Sequence, residues 1–301
     1  MIKNIFKAVL FLLFLTGQSF AQFTLQINSG GSGSGTILVD GNPKALPYTS
    51  DPITFNTNVT IEAVPGTGSG FSNWSGDLNS TNITEVVNIT SDITIAANFV
   101  QTYTLSTTIN PISGGSITGI TNGGVYTDGS TATITAVPAT GYNFVNWSGA
   151  STSTNSTINI SMNSDKSVTA NFVKTYTLTT SINPASGGSI TGITNGGVYV
   201  DGSTATITAV PATGYNFVNW SGASNSTNST INISMNGDKS VTANFVKTYT
   251  LTTSINPASG GSITGITNGG VYTDGSTATI TAVPATGYNF VNWRELVTVQ
   301  M

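Results

Sequence analysis

The sequence predicts an all-β protein, a tandem array of small antiparallel β modules of about 73 residues each. Three observations predict it. Residues 103–175 return almost letter for letter as residues 176–248, and the pattern begins again at Tyr249. Trp74, Trp147, Trp220 and Trp293 each stand 73 residues after the last. Within every period, short runs alternating apolar with small polar residues are cut by Gly, Pro, Asn-Gly and Asp-Gly. No stretch carries the 3.6-residue apolar period or the capping box of a helix.

Repeat 2 sets out the elements in order. Tyr103-Thr-Leu-Ser-Thr-Thr-Ile109 alternates and is rich in β-branched types, so it reads as a strand. Asn110-Pro111 and Gly114-Gly115 break it, because proline lacks a donor and glycine takes positive φ freely. Residues 116–120 form a second short strand, followed by a turn at Asn122-Gly123-Gly124. Val125-Tyr126 leads into the tight-turn signal Asp128-Gly129. Residues 131–137 alternate again, with Ala132, Ile134 and Ala136 on one face and Thr131, Thr133 and Thr135 on the other. Pro138 ends that run, and strands at 142–147, 157–162 and 167–173 complete the unit. Six or seven strands at this spacing suit a small sandwich or barrel-like module.

The boundaries follow from the period: 22–100 is a divergent repeat 1, 101–173 repeat 2, 174–246 repeat 3, and 247–301 an incomplete repeat 4. Repeat 1 carries about seven extra residues around Asn42-Pro-Lys-Ala-Leu-Pro47 but keeps the landmarks around Trp74 and Ala97-Asn98-Phe99. Repeats 2 and 3 differ at six of 73 positions, so they should do the same job. The links between them, near residues 100–102 and 173–175, are so short that consecutive modules should abut.

Residues 1–21 read as an export signal. Lys3 and Lys7 form the basic region, residues 8–15 the apolar run, and Ser19-Phe20-Ala21 the cleavage site, leaving Gln22 first. That run is too short to span a bilayer, so no membrane span is expected and the location should be extracellular or cell-surface. Without Lys3 and Lys7, six basic residues face twelve acidic ones, which argues against nucleic acid and anionic membranes. The chain holds no cysteine and no histidine. Each module must therefore rest on its own apolar core, and thiol or imidazole catalysis is removed.

Three motifs recur in order. Tyr-Thr-Leu opens each of the later repeats. Ala136-Val-Pro-Ala-Thr-Gly-Tyr-Asn-Phe-Val-Asn-Trp147-Ser-Gly149 lies midway, and Asp165-Lys-Ser-Val-Thr-Ala-Asn-Phe172 closes. Together they resemble the divergent internalin-B B-repeat modules of bacterial surface and secreted proteins, over nearly everything after the signal. The resemblance implies modules that act as stalks, spacers or adhesive repeats, with no catalytic residues to transfer. Related B-repeats are β-grasp-like with one helix, so a β-grasp-like module with one short helix is the alternative to the all-β one.

The tryptophans Trp74, Trp147, Trp220 and Trp293 have two readings: exposed rings that stack on saccharides, or core anchors, which is what large aromatics in small β domains usually are. Strict alternation puts Phe144 and Trp147 on opposite faces, so burying both requires a bulge or a turn at Ser148-Gly149. Asp128 and Asp165, the only carboxylates of repeat 2, fall in separate turns where aspartate caps backbone amides. That leaves no paired carboxylates for glycoside hydrolysis and no calcium loop, so neither catalysis, cofactor nor metal is expected. Asn146-Trp-Ser and similar triplets reflect an Asn/Ser/Thr-rich composition. The expected role is a structural stalk or adhesive spacer that meets surface glycans or host and neighbour-cell proteins through repeated weak contacts. A carbohydrate-binding array from a larger secreted protein or enzyme is the alternative.

The fourth copy follows the pattern through Trp293 and then departs over residues 294–301. Back-translated and read one base out of step, that tail gives Gly-Ala-Ser-Asn-Ser-Thr-Asn, identical to Gly222 through Asn228. The expectation is an out-of-frame reading of the same repeat, by mutation or sequencing error. Lacking the Ile-Asn-Ile-Ser and Ala-Asn-Phe strands, copy four should fail to close its sheet and be unstable beyond about Val271.

Overall fold

The computed structural model describes residues 20–294. The export-signal assignment falls mainly on residues 1–19, and most of the aberrant tail on 295–301; both lie outside the described residues. The chain forms two compact units. One contains residues up to 109 with 116–137 and 146–170, and the other contains 110–115, 138–145 and everything from 171 onward. Repeat 1 lies wholly in the first and repeat 3 wholly in the second, so each illustrates its unit.

Repeat 3 is a two-layer β-sandwich of seven strand segments. Its first layer is built around the closing strand Lys239–Leu251. On one flank the tryptophan strand Tyr215–Gly222 pairs with it antiparallel. On the other flank is the opening segment, in which Leu178 to Asn183 run parallel to Lys239 to Asn244. Gly197–Val200 adds an antiparallel partner to residues 175–178. The second layer is the antiparallel set Gly188–Thr191, Ser203–Pro211 and Thr230–Met235.

Alternation decides which side chains meet between the layers, since successive residues of a strand point to opposite faces. Ala205, Ile207 and Ala209 point inward from Ser203–Pro211, while Thr204, Thr206 and Thr208 face out. Ile231, Ile233 and Met235 join them from the same layer. Leu178, Trp220, Val241, Ala243 and Phe245 close the core from the other. The same inward and outward sets recur in repeat 2, where Ala132, Ile134 and Ala136 are buried, Thr131 and Thr133 are exposed and Thr135 is half-buried.

The parallel pair departs from the wholly antiparallel expectation, and connectivity explains it. Parallel neighbours need a long crossover. Here the whole intervening module is that crossover, because opening and closing strands are its first and last elements. The closing strand of repeat 1 continues without a break into the opening strand of repeat 2, as Ile93–Asn110. Lys239–Leu251 does the same between repeats 3 and 4. The residues read as links are themselves strand.

Repeat 1 repeats this plan, with Leu25–Gly31 parallel to residues 93–99 and Ser69–Gly76 antiparallel to them. Its extra residues contribute Asn42–Lys44 to one layer and Tyr48–Thr49 to the other. Among the described residues there is no α-helix; the only helical turns are the three-residue 3-10 turns Ile112–Gly114 and Ala258–Gly260. The all-β module is therefore the fold, and the helix of the β-grasp-like alternative is not seen.

Repeat 4 keeps only part of the plan. Gly270–Thr273 pairs with residues 248–251, and Gly261–Thr264 with Thr281–Pro284. No closing strand follows among the described residues, and none of residues 246–294 is buried.

Candidate functional site

The four tryptophans, the ligand-contact candidates of the sequence, fall into two classes. Trp74, Trp147 and Trp220 are fully buried, whereas Trp293 is 45% exposed. Each buried indole N–H donates a 3.0 Å bond to a backbone carbonyl eight residues on, at Asn82, Asn155 and Asn228 respectively. Burial thus leaves no orphaned donor on the ring, which satisfies the cost of taking a polar group out of water.

A bulge seats these rings, as the alternation argument requires. In repeat 3, Phe217 is opposite Phe245 but Asn219 is opposite Asn244, leaving Val218 as the extra residue. The inserted residue flips the phase of the strand. Phe217 and Trp220, three apart, therefore share a face, their ring centroids 5.5 Å apart, and Phe217 meets Phe245 edge-on at 5.7 Å. Repeat 1 uses the same device at Ser72, with Phe71 opposite Phe99 and Asn73 opposite Asn98.

The bulge also builds a polar bracket on the outer side. Asn244 donates to Asn219 Oδ1 at 3.2 Å and to Ser221 Oγ at 3.1 Å. Asn98 reaches Asn73 Oδ1 at 3.4 Å and Ser75 Oγ at 2.9 Å in repeat 1. Asn-Trp-Ser and Ala-Asn-Phe are thus two halves of one clasp between the tryptophan and closing strands. Sequence reading passed over these residues as composition. The usable signal was that both motifs recur together in every complete copy.

The turn aspartates do what turn chemistry expects of them. Asp165 Oδ1 accepts from the Thr104 backbone amide at 2.7 Å and from its hydroxyl at 3.0 Å. These bonds, the backbone one foremost, favour the charged form and hold the Asp165 carboxyl below the usual carboxylate range. Asp92 accepts from both groups of Thr24 in the same way, and Asp238 accepts from the Thr177 backbone amide at 2.8 Å. Each aspartate ties the entry of a closing strand to the opening strand of its own repeat. Asp128 lies in the predicted turn, where its own backbone amide bonds Gln101 O at 2.8 Å.

Other polar groups are dispersed. Glu85 of repeat 1 accepts from the Ser80 hydroxyl and, at 2.9 Å, from Asn82, which lowers its pKa. The Lys174 ammonium sits 5.1 Å over the Tyr176 ring, and that phenol, first among its neighbours, raises the lysine's pKa. Two shallow hollows stand out. One lies beside Trp74 under Asn79, Ser80, Thr81 and Asn82, and the other between Thr180, Ile182, Ile190 and Ile193. Among the described residues no three acidic, histidine or cysteine side chains gather as metal ligands.

Comparison with known proteins agrees with the repeat plan. The model of the divergent InlB B-repeat domain matches residues 23–102, 105–175, 178–248 and 251–300. No curated protein matches the chain. Among solved structures, the Bacillus anthracis TIE protein is 12% identical over 74% of this chain and half of its own, with a TM-score of 0.23. The major pilin of Streptococcus pyogenes is 10% identical over 75% of this chain and 98% of its own, with a TM-score of 0.15. The matched segments take in every repeat, so the chain belongs to the divergent InlB B-repeat family, a surface-repeat type, in four tandem copies.

Proposed function

We propose that the protein is exported through residues 1–21 and works outside the cell as a structural spacer or adhesive stalk. The observation that carries this reading is the strand Ile93–Asn110, which closes repeat 1 and opens repeat 2 with no flexible link between them. A connection of that kind transmits position from one module to the next, which a spacer needs and a binding module on a loose tether does not. The buried rings of Trp74, Trp147 and Trp220 favour the spacer over a saccharide-binding array, since stacking needs an exposed aromatic face. The carboxylates are scattered, and Asp92, Asp165 and Asp238 are engaged with backbone or hydroxyl groups, which offers no acid–base pair among them around which to build an enzyme. Adhesion by such modules would draw its strength from valency.

Fractionation of producing cells, with adhesion compared between the full chain and a variant lacking residues 101–246, tests the proposal. The spacer reading expects the chain at the surface or in the medium, and adhesion that falls with repeat number. Retention in the cytoplasm would contradict it. Strong binding of the full chain to one defined glycan on an array would transfer support to the saccharide reading.

A further inference from the structure

We propose that Asn236 is a built-in site of spontaneous deamidation, set apart from three other Asn-Gly pairs by the fold. The sequence contains Asn-Gly at 122–123, 195–196, 236–237 and 268–269. Glycine after asparagine favours ring closure because no side chain hinders the attacking amide nitrogen. Sequence alone therefore treats all four as equal.

The structure does not. At three pairs both reacting groups are held. Asn122 Oδ1 accepts from Thr107 N at 2.7 Å while Gly123 N donates to Leu105 O at 3.0 Å. Asn195 is bound to Thr180 N at 2.7 Å, and Gly196 N to Leu178 O at 2.9 Å. Asn268 is bound to Thr253 N at 2.7 Å, and Gly269 N to Leu251 O at 3.0 Å. In each, the side-chain oxygen accepts from a backbone amide of the opening segment and the nucleophilic nitrogen is turned toward a carbonyl. Reaction there must wait for local opening.

Asn236 and Gly237 sit instead in the turn between Thr230–Met235 and Lys239–Leu251. All four asparagines are exposed and all four glycines have open space around them, so the hydrogen bonds alone make the difference. The Gly237 amide makes none of the backbone bonds that hold the described turns. The Gly237 nitrogen can therefore attack Asn236 Cγ. The bond from Cγ to the side-chain nitrogen breaks, and ammonia leaves with the proton displaced from the Gly237 amide. Water then opens the succinimide to aspartate or isoaspartate, with no electron transfer. Repeat 2 lacks the site, because Ser164 replaces Gly237 after Asn163.

The product adds a carboxylate two residues from Asp238, whose Oδ1 holds Thr177 N at 2.8 Å. Isoaspartate also adds a methylene to the main chain just before that clasp. Ageing outside the cell would thus mark repeat 3 and leave its near-twin unchanged.

Peptide mapping of the full chain during incubation in mildly alkaline buffer tests this, with isoaspartate and aspartate scored at all four pairs. Asn236 should convert at least about tenfold faster than Asn122, Asn195 or Asn268, equivalent to about 1.4 kcal/mol of opening free energy at the held sites. In the urea-unfolded chain the four rates should converge. Gly237→Ser should bring residue 236 down to the rate of Asn163. Equal rates in the folded chain, or the same ranking after unfolding, would overturn the proposal.

Discussion

Residues 175–220 and 248–293 differ at one position in 46, Val200 against Thr273, yet they fold differently. In repeat 3 the segment Ser203–Pro211 is a nine-residue strand with Ala205, Ile207 and Ala209 buried. In repeat 4 the same letters yield only Thr281–Pro284, and Ala278, Ile280 and Ala282 are half-exposed. Trp220 is fully buried where Trp293 is 45% exposed. What repeat 3 has, and the described part of repeat 4 lacks, is the pair of strands Thr230–Met235 and Lys239–Leu251 that cover the two layers. Strand propensity is thus necessary and insufficient here. A β-rich segment holds its shape when neighbours pair with it and bury its apolar face.

The largest expected effect breaks this contrast directly. Trp220→Ala should destabilise repeat 3 by about 3–5 kcal/mol, the usual cost of truncating a buried aromatic. Trp293→Ala, which empties no buried site, should cost far less. Denaturant titration of the full chain, resolved by repeat through hydrogen exchange, reads both. Gly222→Ala comes next. Gly222 has φ 94° and a Cβ there would lie 2.5 Å from Ser240 O, so about 1–3 kcal/mol should be lost from repeat 3. Equal stability of this variant would show that the tryptophan strand can shift.

Asn244→Ala should cost about 1–3 kcal/mol by unpairing Asn219 and Ser221, and its thermal unfolding measures this. The smallest effect concerns the Asp165 clasp. Its pKa is lowered in the folded chain, so its stabilisation is complete above the unfolded carboxylate range near pH ~4. It is lost as pH falls through the folded value below that. An acid titration of repeat 2 unfolding should therefore be flatter in Asp165→Asn than in the parent.

Much of this was legible in the letters. The alternation of residues 131–137 places Ala132, Ile134 and Ala136 inside, because inward and outward positions carry different chemistry. The mismatch in phase between Phe144 and Trp147 signals a bulge, and repeats 1 and 3 place it two residues before the tryptophan. Strand partners were not legible. Nothing local in Leu178–Asn183 says that it lies parallel to Lys239–Asn244, since that pairing is set by the path of the whole module. The insertion near Asn42 shows only as length; its strands Asn42–Lys44 and Tyr48–Thr49 find their places through neighbours distant in sequence. The Asn–Ser clasp stayed hidden because its members look like ordinary solvated residues until the bulge brings them together.

The closing strands, not the local sequence, hold each module together. Hydrogen exchange of the full chain measures it most directly, comparing Ser203–Pro211 with residues 276–284 in peptides told apart by Val200 and Thr273. Strong protection is expected of the first and rapid exchange throughout the second. Equal protection of the two identical stretches would contradict it.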